Sequence, residues 1–522
     1  MGPEQGKPGV SEGNKGRLLF QEQAWDAGWV PPLEIPPRWL WRVRDMATFF
    51  HYKTIADLEA ENARLGIDLR WSEDLAPLWQ PLEIGGRRLG NRWCIHPMEG
   101  CDGTLDGRPD ELTFRRYQRF GAGGAKLIWG EACAVVEESR ATPRQLWLNE
   151  QTVGDFARLV ETCRTAHRQA GEHDADLLIG LQLTHSGRYS YPRPLLATHD
   201  PLLLGRHKVT AETPLLSDDE LLRLVDAYAT AARLAAQAGF DFVDIKQCHR
   251  YLLSELLGAR NRPGPFGGSF ENRTRLIRMI LEAVRAVLPP HVFLATRINV
   301  YDGIPYQANG QPVPFTTPLA NGWGMHLEDP FQPDLKEPLE WIGQMRAMGV
   351  VLVNISMGNP YAQPHIGRPF EYPPPDGYPA PEHPLVGVDR HFRLTAAVQQ
   401  AYPDLAVVGT GYSYLQEFFP YAAAANIREG RVTCVGLGRL SLAQPDWVRQ
   451  LREHGRLDRK RICRTFSYCT ALMRAKQHPL GQFPTGCPPF DKEVYGPIWK
   501  QVQSLQPPRP SATLPGQDSP AD

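Results

Sequence analysis

Short apolar runs recur along the chain, separated by longer amphipathic stretches. They are RWCIHPM (92–98), AKLIWGE (125–131), LLIGLQL (177–183), DFVDIK (241–246), VFLATRI (292–298), VVLVNIS (350–356), LAVVGT (405–410) and RVTCVGL (431–437). Most are continuous rather than alternating, the pattern of strands buried on both faces of a parallel sheet. Between the third and fourth runs, Ser217 and Glu220 have capping-box spacing. Leu221, Leu222, Val225, Tyr228 and Ala229 then form an apolar stripe, and Gly239 supplies a stop, so a helix is expected there. Eight runs, each followed by a helical stretch, predict an α/β fold, a (β/α)8 TIM barrel; a doubly wound open sheet is the alternative.

The barrel is expected over 81–450, with 17–80 as an N-terminal extension and 451–503 as a C-terminal segment packed on it. Residues 1–16 and 504–522 are polar and rich in Gly, Pro or Ser, and read as disordered. Within the extension, IADLEAENARLG is a further helix candidate, placed either under the barrel or at a subunit contact.

Composition alters this picture in one respect. The 522 residues include 48 prolines, well above the usual level of about 5%. Many fall in 302–337 and 359–385, insertions after the fifth and sixth runs, which emerge at the strand ends where barrel enzymes build their sites. Fifty-seven basic residues against 58 acidic ones leave a net charge of −1, with no footprint for nucleic acid or an anionic membrane. No apolar run reaches the roughly 18 residues of a membrane helix. The first 16 residues lack an apolar signal core, and nine cysteines are sparse and odd in number, so a soluble cytoplasmic protein is expected.

Candidate chemistry collects at the run ends. Pro97, Met98 and Glu99 follow the first run, Glu131 and Ala132 the second, and Gln182 and His185 the third. Lys246, His249 and Tyr251 follow the fourth, Arg297 closes the fifth, and Ser356 and Gly358 the sixth. Gly409 and Gly411 end the seventh, and Gly438-Arg439 the eighth. Singly, each has a plain structural reading: a loop His or Gln, a tight turn, or a tyrosine packing at the start of the apolar helix YLLSELL. Together, glycines after the last two strands followed by an arginine match the place where barrels hold phosphate on backbone N–H groups. The residues alone thus predict a phosphate-bearing ligand.

Several segments go further. PLEIGGRRLGNR (81–92), QLTHSGRYSY (182–191), CHRYLLSELL (248–257), NRPGPFGGSFENRTR (261–275) and VGLGRLSLAQPD (435–446) resemble the Old Yellow Enzyme superfamily of FMN-dependent NAD(P)H:flavin oxidoreductases and ene reductases. The GGS-x-ENR-x-R segment is the most specific, and the resemblance runs over about 78–445. It implies FMN at the barrel mouth, with Pro97, Met98, Glu99 and Ala132 along the ring system and Gln182 on its pyrimidine edge. Arg297 would stand where negative charge collects on reduction, and Gly409, Gly411, Gly438 and Arg439 would hold the phosphate. It further implies NADH or NADPH as electron donor and an electrophilic small molecule, with an activated C=C bond, as substrate. Hydride would pass from flavin N5, with Tyr251 as proton donor and His249 as a carbonyl donor.

Three departures from that family stand out. Lys246 occupies a position that is commonly His, and Glu99 one that is commonly small, so the two are expected to interact beside the flavin. Cys463, Cys469 and Cys487 match three ligands of iron–sulfur relatives such as 2,4-dienoyl-CoA reductases and trimethylamine dehydrogenases, but Phe466 takes the place of the second ligand of the set, which argues against a [4Fe–4S] cluster. A zinc site of these cysteines with His478 is a weaker reading, and no metal is expected. No G-x-G-x-x-G follows, so electrons are expected from NAD(P)H in the same pocket or from a donor protein; homo-oligomerisation stays open. The alternatives are a flavin-dependent amine N-demethylase or dehydrogenase, a flavin-binding module without turnover, and a barrel without flavin.

Overall fold

The structure is a computed structural model and describes residues 47–505. The stretches expected to be disordered at 1–16 and from 506 onward, and the extension up to residue 46, lie outside the described residues. A short antiparallel hairpin comes first, β1 (Leu82–Ile84) and β2 (Arg87–Leu89). The runs then form β3 (Trp93–Ile95), β4 (Leu127–Ala134), β5 (Leu178–Thr184), β6 (Phe242–Ile245), β7 (Phe293–Asn299), β8 (Val350–Ser356), β9 (Ala406–Gly409) and β10 (Cys434–Leu437). Neighbours pair in parallel, and β10 returns to β3, so the sheet closes into a barrel rather than an open doubly wound sheet.

The barrel is apolar at its N-terminal end and polar at its mouth. Leu127, Trp129, Leu178, Phe242, Leu352 and Val408 fill the lower interior together with Ile84 and Leu89 of the hairpin. The β1–β2 hairpin therefore plugs the bottom. Its turn requires glycine at Gly85 (φ +57°), where a Cβ would lie 2.8 Å from the Phe293 ring.

Ser217 caps the helix Asp218–Gln237 with a complete capping box, as its spacing predicts. The buried face is Leu221, Leu224, Tyr228, Ala231 and Ala235, whereas Leu222 is 39% exposed. The stripe is thus rotated from the expected one, because the helix packs between strands β5 and β6 and the neighbouring helix Phe270–Val287. The extension helix, Ile55–Leu65, is capped by Thr54 and closed by left-handed Gly66. It lies beside the barrel: Phe50 packs edge-on against Tyr414, and Asp68 N–H donates to Asp389 at 3.2 Å. Buried Glu371 joins this extension to the C-terminal segment, accepting from Phe50 N–H (3.1 Å) and Arg464 Nε (3.1 Å). The last helix runs from Lys492 to Leu505, so Ser504 and Leu505 are helical and do not begin a disordered tail.

Leu89 is fully buried in the plug. Leu89→Ala is expected to destabilise the protein by about 2–5 kcal/mol, read as a lowered midpoint in urea unfolding with an unchanged slope.

Candidate active site

The loop after β6 carries a concentration of chemistry and is bent into an uncommon shape. His249 (φ +65°) and Arg250 (φ +59°) are consecutive left-handed residues without being glycine, an arrangement that costs about 1–3 kcal/mol each and persists only when the surroundings hold it. Here they do. The buried Arg250 guanidinium lies 3.1 Å from Asp200 Oδ2 through Nη1 and 3.1 Å from Asp302 Oδ2 through Nε, charge against charge. Ser254 Oγ accepts Arg250 N–H at 3.2 Å, and Asn299 Oδ1 accepts His249 N–H at 3.2 Å. Asn359 Nδ2 donates to His249 O at 3.1 Å. The Gln247 side chain anchors the start of the bend, donating to Thr296 Oγ1 (2.9 Å) and accepting from Trp341 Nε1 (2.8 Å).

The bend brings Lys246, His249 and Tyr251 onto one cavity of about 220 Å³ at the barrel mouth. The same cavity is lined by Pro97, Met98 and Glu99 after β3, Ala132 of β4, Gln182 of β5, Arg297 of β7, Gly411, Gly438 and Arg439. Gly409 does not line it; it belongs to β9, and a Cβ there would meet Val432 and Tyr412. His96, Tyr361, Arg368, Thr410, Cys469, Met473, Arg474 and Thr485 line the cavity as well. Sequence reading missed these. Tyr361 and Arg368 come from the proline-rich insertion, Thr410 from the turn after β9 and the last four from the C-terminal segment, stretches with no periodic pattern to place them.

Asp244 organises the floor. Its buried carboxylate accepts from Gln182 Nε2 (2.6 Å), Trp129 Nε1 (2.7 Å) and the Arg297 N–H (2.7 Å). The Gln182 amide is thereby turned so that its carbonyl and one N–H remain for a ligand. Burial pushes the Asp244 carboxyl above its usual range, against the pull of these donors.

Glu99 and Lys246 act on each other through space but form no ion pair among the described residues. Glu99 accepts from Gln145 Nε2 at 2.8 Å, and its acidity is weakened by burial, opposed by Lys246 and Arg474. Lys246 Nζ instead stands 3.4 Å from the centre of the Tyr251 ring, and burial lowers its pKa. The expected interaction of the two is thus electrostatic, and each side chain also has a nearer partner of its own.

A second feature is a pair of guanidiniums with donors to spare. Arg439 donates to Pro369 O at 2.7 Å, yet its Nη1 is buried without a partner. Arg368 donates to Thr470 Oγ1, and its Nε and Nη2 are likewise buried and unpartnered. Burial, then the nearby Arg439, pull the Arg368 pKa down to about 10. Beside them the chain turns at Gly411 (φ +97°), where a Cβ would come within 3.1 Å of the His391 ring. Paired cations with unsatisfied donors on a glycine turn suit a phosphate dianion. With Gln182 and Arg297 on the same cavity, the donor set fits FMN.

Cys463, Cys469 and Cys487 line a smaller cavity of about 30 Å³ with Phe466 and Arg439. Among the described residues, no group of three or more His, Cys, Asp or Glu is placed to hold a metal ion. His478 accepts Leu480 N–H at its Nδ1 (3.1 Å) and packs edge-on against Phe483. No described helix is long and apolar enough to cross a membrane.

The profile of the NADH:flavin oxidoreductase / NADH oxidase family matches residues 77–312. An NADPH dehydrogenase from Geobacillus sp. (strain WCH70) is 30% identical over 289 residues, which are 54% of this chain and 73% of the relative. Among solved structures, a 2-naphthoyl-CoA reductase complex superposes with a TM-score of 0.59 at 18% identity, over 76% of this chain; the chain spans 55% of that protein. The Old Yellow Enzyme homologue of Zymomonas mobilis superposes with a TM-score of 0.51 at 22% identity, over 73% of this chain and 94% of that one. The two superpositions bear on the fold.

Removing one member of the guanidinium pair tests the anion site. Arg439→Met is expected to weaken FMN binding about 10–100-fold, the equivalent of a lost charged hydrogen bond of about 1.5–3 kcal/mol, measured by quenching of FMN fluorescence on titration with apoprotein.

Proposed function

The chain belongs to the NADH:flavin oxidoreductase / NADH oxidase family, as an FMN-dependent oxidoreductase driven by NAD(P)H, and we propose that it reduces an activated C=C bond of a small electrophile. The observation that carries this reading is the meeting of a phenol, an imidazole and an ammonium on the cavity that also holds Gln182, Arg297 and the arginine pair. Gln182, Arg297, Arg368 and Arg439 would hold FMN, which would supply hydride chemistry with NAD(P)H as its source in the same cavity, so the reading needs no electron-donor protein or second subunit.

The protein's own residues position and protonate. Burial, with Arg297 and Lys246 nearby, holds His249 well below the usual histidine range, so its imidazole is neutral at physiological pH. Its Nε2 is engaged with Ser356 Oγ at 2.8 Å, which fixes the ring and leaves the cavity-facing side to polarise a substrate carbonyl. Lys246 adds a positive charge to the same wall and stabilises the enolate that forms as hydride arrives at the β-carbon. Tyr251 then gives its proton to the α-carbon. Burial and the Glu99 carboxylate push its phenol well above 10, so it remains an acid across the physiological range.

Anaerobic mixing with NADPH is expected to bleach the flavin, and an α,β-unsaturated ketone or aldehyde to restore its colour. A flavin that resists NADPH but bleaches with an amine would overturn the reading in favour of amine oxidation. Tyr251→Phe is expected to slow the restoring step by about 10²–10⁴ with the bleaching step unchanged. Because the folded phenol pKa is raised, the proton-bearing form is lost only at strongly alkaline pH. The restoring step in the wild type should therefore show no loss of rate between about pH 7 and 9. Lys246→Met should impair substrate turnover far more than flavin content; equal losses would place Lys246 in cofactor binding.

A further inference from the structure

A buried acid that gives up a proton in every turnover must regain one, and Tyr251 is poorly placed to do so alone. Its side chain is 4% exposed, and it faces a cavity that bound substrate fills. One hydroxyl stands within hydrogen-bond reach of it: Tyr361 Oη, 3.2 Å away. Tyr361 lies in the proline-rich insertion after β8, lines the same cavity and is only half-buried. Its partial exposure gives it a contact with solvent that Tyr251 lacks.

We propose that Tyr361 relays a proton from solvent to Tyr251 during turnover; the proposal rests on the ene-reductase reading above. The step balances without a further reagent. The enolate α-carbon takes the Tyr251 hydroxyl proton, forming C–H while the O–H electron pair stays on the Tyr251 oxygen. That oxygen takes the proton of Tyr361, and Tyr361 takes one from water. No electrons move in the relay.

The surroundings of Tyr361 are built for this position. Asn359 Oδ1 accepts the backbone N–H of Tyr361 (2.7 Å) and Ala362 (3.1 Å). The other end of the same amide donates to His249 O and to Tyr189 Oη, so one side chain sets both the relay and the strained turn. The Tyr189 ring stacks on Tyr361 at 4.4 Å and 26°, and His207 packs edge-on at 5.1 Å. Each phenol also carries a cation on its ring face: Lys246 Nζ lies 3.4 Å from the Tyr251 centroid, and the Arg474 guanidinium 4.0 Å from that of Tyr361. A cation so placed stabilises the phenolate that each tyrosine becomes in transit. Arg474 is itself fixed, at 3.0 Å from Asp376 Oδ2 and 3.2 Å from Pro360 O.

Tyr361→Phe keeps the ring stack and removes only the hydroxyl. In the flavin-loaded full chain, re-oxidation by an enone should slow about tenfold, less than the about 10²–10⁴ of losing a direct acid. Flavin content, bleaching by NADPH and substrate KM should be unchanged. The solvent isotope effect separates a relay from a structural role. Plotted against the fraction of D2O, the wild-type rate should curve, as two moving protons require, and the variant should give a straight line. A wild-type rate retained in Tyr361→Phe, or a loss confined to KM or flavin content, overturns the relay alone. A wild type that no enone re-oxidises overturns the ene-reductase reading and the relay with it.

Discussion

The site depends on one buried charge cluster. Arg250, held between Asp200 and Asp302, fixes a turn whose backbone would otherwise relax. The cluster is closed on itself: Asn299 accepts His249 N–H and donates to the other oxygen of Asp302 at 2.9 Å. Two left-handed residues cost about 1–3 kcal/mol each, whereas stripping a partner from a buried ion pair costs about 3–5 kcal/mol. The summed strain is of the same order as one such pair, and the two carboxylates together with the hydrogen bonds to the turn hold it in place. Its consequence is chemical, because Lys246, His249 and Tyr251 reach one cavity from six consecutive positions.

Around that turn, charge is distributed with a sign. The mouth gathers Lys246, Arg297, Arg368, Arg439 and Arg474, with Glu99 as the carboxylate among the lining residues. Asp244 lies beneath and is spent on orienting Gln182, Trp129 and the Arg297 backbone. The excess is positive, which suits a bound phosphate and, on the proposed reading, a developing enolate. The opposite end of the barrel is sealed by the hairpin and its apolar cluster.

The insertion and the C-terminal segment complete the mouth. Asn359, Tyr361 and Arg368 come from the proline-rich stretch, and Cys469, Met473, Arg474 and Thr485 from beyond the barrel. Glu371 locks these additions to the N-terminal extension. Phe466 lines a small cavity beside three thiols and Arg439. Packing there supports the arginine of the anion site from behind.

Sequence by itself determined the barrel, because buried parallel strands leave continuous apolar runs and helix starts leave capping residues; Ser217 with Glu220 and the eight runs suffice. It also placed twelve of the residues that line the cavity, since strand ends in a closed barrel converge on one face whatever the loops do. Tertiary structure alone decided the rest. Leu222 is turned to solvent by the neighbouring helix, and Glu99 is taken by Gln145 rather than Lys246. Tyr361 meets Tyr251 across 110 residues of chain. Local pattern records what a residue does to its own backbone and burial. Which side chains meet over such separations depends on ring closure and on how irregular insertions fold back, and those are properties of the assembled molecule.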